Sequence, residues 1–188
     1  IGRNAAEDLT TGISNVAIGR YAMQDVTTDS YNVAIGTQAG NGVTGGGVNI
    51  WHQAGNNIGS KATSVGYQAL LYTNGNYNTA VGHQALKGVS TPSTGYNNVA
   101  IGYQSGHDIT SGYRNTLVGY QAGYDIESGL DNTLIGNQAG ANITTGPRNT
   151  IVGSYAGDSL TTVYCVIAIG YSALGDAGGA NYDVAIGY

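Results

Sequence analysis

The sequence predicts an all-β fold, a repetitive parallel β-roll or β-solenoid of about eleven coils of about seventeen residues each. Three observations predict it. An Ile or Val followed by Gly recurs as Ile1-Gly2, Ile18-Gly19, Ile35-Gly36, Val65-Gly66, Val81-Gly82, Ile101-Gly102, Val118-Gly119, Ile135-Gly136, Val152-Gly153, Ile169-Gly170 and Ile186-Gly187, and Ile50-Trp51 keeps the phase without the glycine. Successive landmarks lie 17, 17, 15, 15, 16, 20, 17, 17, 17, 17 and 17 residues apart. No window carries a sustained helical period, while 32 glycines allow the chain to turn often and tightly. The whole of 1–188 is one repeat array, with irregular coils over 42–95.

Counting from the landmark glycine, or Trp51 in its place, the strand comes first. Three residues before it stand Val16, Val33, Val48, Thr63, Thr79, Val99, Thr116, Thr133, Thr150, Ile167 and Val184, and one before it always Ile or Val. β-branched residues two apart share one face of an extended segment and favour that backbone. This face is expected to turn inward. The residue between them would then face outward, yet it is Ala, Leu or Ile in nine of eleven coils. A strand apolar on both faces is normally covered on both, so Leu117, Leu134 and Ile151 are expected to contact other copies of the chain.

The remaining positions complete the coil. Four residues before the landmark, Asn15, Asn32, Asn78, Asn98, Asn115, Asn132 and Asn149 are placed to bond from coil to coil in a ladder. Parallel strands stack about 4.8 Å apart, which predicts a body about 50 Å long. Three residues after the landmark stands Ala or Ser, then Gly, Ala, Leu or Met, which marks a close-packed corner. Seven after it an aliphatic returns at Leu9, Val26, Val43, Ile58, Val89, Ile109, Ile126, Ile143 and Leu160 to close the core from a second wall. Asp8, Asp25, Asp108, Asp125, Asn142 and Asp176 precede that return and suit turns. Ser90 to Gly95, inside the longest interval, reads as a protruding loop.

Composition excludes several functions. A net charge of −5 with only six Lys and Arg argues against nucleic acid and against an anionic membrane surface. One cysteine, Cys165, rules out an intrachain disulfide and a cysteine-rich zinc site. No apolar run is long enough to cross a bilayer as a helix. The sequence opens and closes in mid-motif, at Ile1-Gly2 and at Val184 to Tyr188, so it reads as a segment of a longer array.

The motifs NVAIGYQSG, NTLVGYQAG, NTLIGNQAG and NTAVGHQAL resemble the head repeats of YadA-type trimeric autotransporter adhesins. They also resemble the NTAVGYQAL arrays of bacteriophage tail fibres and of surface proteins that carry an endosialidase-type chaperone. The resemblance runs through the whole chain. It implies a homotrimeric left-handed β-roll, hence two further copies of the chain as partners. It also implies a shaft or head that reaches a host surface, on a virion or outside a cell. The YadA head repeat is shorter than seventeen residues, so its loops differ and its ligand contacts do not carry over.

Candidate chemistry is sparse, and no catalytic residue, metal ligand or cofactor is assigned. Tyr67, Tyr103, Tyr120 and Tyr171 follow the landmark glycine, commonly with glutamine next, and aromatic faces beside amides suit a host-surface sugar or protein. The same pattern also suits a ladder that stiffens the stack. Trp51, in a glycine slot, marks either a ligand site or a local kink. Asp108 and Asp125 share a phase in adjacent coils, as a tailspike-like glycan hydrolase would need, and equally as ordinary turn residues. A monomeric solenoid that binds ice or another flat surface would call for regular exposed threonine rows, which are not evident. The expected protein is therefore a structural and adhesive fibre segment rather than an enzyme, of a phage tail fibre or appendage or, alternatively, of a bacterial trimeric adhesin.

Overall fold

A computed structural model describes residues 1–56, 59–89, 93–175 and 181–188. Ile58, Asp176 and the Ser90-Thr91-Pro92 part of the expected loop lie outside them. Eleven three-residue strands form among the described residues, with no helix: β1 (Val16–Ile18), β2 (Val33–Ile35), β3 (Val48–Ile50), β4 (Thr63–Val65), β5 (Thr79–Val81), β6 (Val99–Ile101), β7 (Thr116–Val118), β8 (Thr133–Ile135), β9 (Thr150–Val152), β10 (Ile167–Ile169) and β11 (Val184–Ile186). They stack in chain order as one parallel sheet, each residue paired with its counterpart one coil on, as in Leu117 to Leu134 and Leu134 to Ile151. This is the predicted β-solenoid.

The landmark glycine is required by geometry. From Gly2 to Gly187 its φ lies between 130° and 144°, a region that side chains avoid. A Cβ built on Gly102 would fall 2.2 Å from the carbonyl oxygen of Gly119. Trp51 is the exception at this position, with φ 110°. The second residue after the landmark is also left-handed, as at Gln68 (54°), Gln104 (52°) and Gln121 (51°), which folds the corner tightly at a cost of about 1–2 kcal/mol per residue.

The inside and outside of the strand are the reverse of the expectation. Ala34, Ala80, Ala100, Leu117, Leu134, Ile151 and Ala168, the middle residues, are fully buried within the single chain, so Leu117, Leu134 and Ile151 are covered by the chain's own core, where the sequence predicts cover by another copy. The flanking β-branched residues face out, and none of these 22 positions is buried. The physical reason is the facing wall. Six residues after the middle one comes the corner residue that packs against it, and their sizes compensate. Leu117, Leu134 and Ile151 meet Gly123, Gly140 and Gly157, where a built Cβ would lie within 3.0 Å of their side-chain carbons. Four small residues at the middle position are matched by large ones at the corner, Ala17 by Met23, Ser64 by Leu70, Ala80 by Leu86 and Ala168 by Leu174, whereas Ala34 and Ala100 face Gly40 and Gly106 and side chains of adjacent coils reach in instead, Met23 and Asn49 beside Gly40 and Leu86 and Leu117 beside Gly106. In a coil this narrow the sheet contributes one inward side chain per strand, and the volume is shared between the two walls.

Val26, Val43, Ile109, Ile126, Ile143 and Leu160 close the core as expected. Beside them the asparagines form their ladder. The Oδ1 atoms of Asn98, Asn115 and Asn132 accept from the backbone amides of Asn115, Asn132 and Asn149 at 3.0, 3.0 and 2.9 Å. The Nδ2 atoms of Asn98, Asn115 and Asn132 donate to the carbonyls of Gly112, Gly129 and Gly146. These amides are buried and satisfied, which is what makes them tolerable in an apolar core.

Candidate functional site

Two side-chain columns run along the corner after the strand. Gln38, Gln53, Gln68, Gln84, Gln104, Gln121 and Gln138 form an unbroken amide ladder, each Nε2 from Gln53 onward donating to the Oε1 of the preceding coil at 3.0–3.2 Å. These bonds help offset the left-handed backbone that the glutamines occupy. The column next to it carries the rings. His52, Tyr67, His83, Tyr103 and Tyr120 stack in sequence with centroids 5.1–5.4 Å apart, and Tyr171 stacks on Tyr188 at 5.6 Å.

This stacking decides what the column offers a ligand. Both faces of Tyr67 and Tyr103 are covered by neighbouring rings, so they present edges and hydroxyls rather than open platforms. No ring stacks on the second face of Tyr120, because Asn137 follows it in the column. Trp51 is 63% exposed, an apolar ring held outward on an unusual backbone.

The carboxylates gather elsewhere. His107 Nδ1 lies 2.5 Å from Asp108 Oδ1, and the His107 ring stacks on Tyr124 at 4.9 Å. Burial first, then the charges of Asp108 and Glu127, raises the Asp125 carboxyl above its ordinary range, while His107 opposes this. The aspartates therefore sense each other, but Asp108 is already engaged by a histidine. On the turn side Arg114 grips Asp131 through two bonds of 2.6 and 2.8 Å, and this holds the Asp131 carboxyl below its usual range. Among the described residues no group of three or more His, Cys, Asp or Glu is placed to hold a metal ion.

Sequence reasoning missed one feature. An open depression of about 350 Å³ lies at the turns before β5 and β6, beside Tyr77 and Tyr96. Its signal was the abrupt change of interval from 16 to 20 residues at this place. No family model, curated protein or solved structure matches the chain.

Proposed function

We propose that this chain is a stiff shaft or head segment of a homotrimeric fibre, a structural and adhesive element of a phage tail fibre or appendage that contacts a host surface. One observation carries the reading. The outer face of the sheet, from β1 to β11, shows two unbroken columns made only of Val, Ile and Thr, with no charge among 22 positions. Ten strand steps make that strip about 50 Å long. Soluble proteins seldom leave so long an apolar wall uncovered. Sister copies packed on it would bury the residues that the single chain exposes, such as Ile101, Ile135 and Ile169. The trimer contact thus falls on these outward columns rather than on Leu117, Leu134 and Ile151. The unbroken glutamine ladder supplies stiffness, and three copies present every surface feature three times, so avidity replaces a deep pocket.

Light scattering tests the reading: the expected particle has three times the 19.1 kDa chain mass. Replacing Val118 and Ile135 by lysine, both outward, is expected to give a monomer with unchanged circular dichroism. A folded monomer of the unaltered chain at micromolar concentration would overturn it. That outcome would favour a second reading that the threonines support. Thr63, Thr79, Thr116, Thr133 and Thr150 lie outward in one column, contrary to the sequence expectation, and a flat lattice such as ice could then be the partner.

A further inference from the structure

The geometry points to a binding site for an uncharged sugar unit in the depression beside Tyr77 and Tyr96. It lies within one chain and stands apart from the trimer reading. Gly75 and Gly95 meet so closely that a Cβ on Gly75 would lie 2.0 Å from the Gly95 carbonyl oxygen, so no side chain fills the space between these turns. Around it stand Asn74, Asn76, Tyr77, Thr94, Tyr96 and Asn97, with a volume of about 350 Å³. Such a volume sits at the small end of ligand pockets, about 300–1,000 Å³.

The rings are arranged as platforms rather than as a closed stack. Asn76 and Tyr96 are neighbours in one column, Tyr77 and Asn97 in the next, so the two tyrosines stand diagonally across the cleft, tied by the Asn97 amide donating to the Asn76 carbonyl at 3.0 Å. Tyr96 stacks on Tyr113, one coil further on, at 4.9 Å and 3°. Its opposite face looks toward Asn76, which puts no ring in that column. Tyr77 carries the Lys61 ammonium 5.2 Å from its ring centroid, on the preceding coil, which leaves the face toward Asn97. The free faces of both rings therefore turn toward the same cleft. This differs from Tyr67 and Tyr103, whose faces are both covered.

The polar groups define the ligand class. Asn74 and Asn97 are exposed and their side-chain amides make no hydrogen bond among the described residues, while Asn76 Oδ1 accepts from the Ser60 amide at 2.8 Å. Amides donate and accept side by side, as vicinal hydroxyls require, and aromatic faces match the C–H face of a pyranose. No Asp, Glu, Lys or Arg lines the cleft, so a neutral sugar fits better than an acidic one.

Saturation-transfer NMR with lactose, maltose, cellobiose and N,N′-diacetylchitobiose at millimolar concentration tests the proposal, with 3′-sialyllactose as the acidic comparison. The expected result is transfer to at least one neutral disaccharide, weakened about ten-fold by Tyr96→Ala, the loss of one ring face. Asn74→Ala, which removes an exposed amide with no bond among the described residues, is expected to weaken binding several-fold with an unchanged melting curve, and Tyr120→Ala to leave it intact. No transfer to any neutral sugar, a response to 3′-sialyllactose alone, or binding that survives both Tyr96→Ala and Asn74→Ala would overturn the proposal. Failure here leaves the light-scattering result untouched, and the converse also holds.

Discussion

The coils from β6 to β10 and those between Gly36 and Asn98 are built on the same plan but close it differently. In the first stretch every landmark interval is 17, and the asparagine ladder runs without a gap from Asn98 to Asn149, ending on the Val166 amide. In the second the intervals are 15, 15, 16 and 20, and Gly47 and Ala62 take the asparagine slots. The consequence is visible in the polar accounting. Among the described residues the buried side-chain atoms left without a partner, Asn32 Oδ1, Asn49 Nδ2, His52 Nδ1 and Ser93 Oγ, all lie in or at the edge of the irregular stretch. The glutamine ladder nevertheless passes through it intact. Strand and first corner are therefore held at constant spacing, and length changes are absorbed on the return side of the coil. There they break one ladder, and the cleft beside Tyr77 and Tyr96 lies in the same stretch.

The largest effect should come from the core that both stretches share. Leu134→Ala is expected to cost about 3 kcal/mol in urea unfolding, because Gly140 opposite cannot fill the space. Adding Gly140→Leu should restore more than half of it, since Leu70 and Leu86 already occupy this left-handed slot at φ 54° and 45°. A double variant no better than the single one would refute size compensation between the walls. Next is the ladder. Asn115→Ala deprives the Asn132 amide and the Gly129 carbonyl of their partners and should cost about 2–3 kcal/mol. Ala62→Asn, in the interrupted stretch, offers the Asn78 amide the Oδ1 that later asparagines use and should gain about 0.5–1.5 kcal/mol. Equal and small changes at both positions would mean that the ladder contributes little.

Trp51→Gly restores the residue its backbone favours, and thermal melting should show a gain of about 1 kcal/mol. A loss instead would show that the exposed ring is packed in the assembled protein. The smallest effect concerns Asp125 in the regular stretch. Its carboxyl is raised by burial and by Asp108 and Glu127, so the folded chain holds that proton more tightly than the unfolded chain. Stability from this site is therefore lost as pH rises through the carboxylate range. Asp125→Asn should raise the Tm slightly at pH 7, a gain that vanishes below about pH 3.9. A gain that persists in acid would point to packing rather than charge.

The period, the strands at the landmarks, their parallel register and the asparagine ladder are legible in the chain itself. Each follows from one residue type recurring at one phase, and stacking brings like residues together whatever the coil's cross-section. The direction of the strand's side chains was decided only by the tertiary structure. In Thr116-Leu117-Val118 both parities are apolar or β-branched, so alternation gives no preference, and the opposite wall at Gly123 settles which side chain fits. A sequence signal for this does exist, in the inverse sizes of residues six apart, Leu117 with Gly123 against Ala80 with Leu86, but its meaning depends on knowing that those positions face each other. The cleft depends likewise on how two coils stack, which neither coil specifies alone.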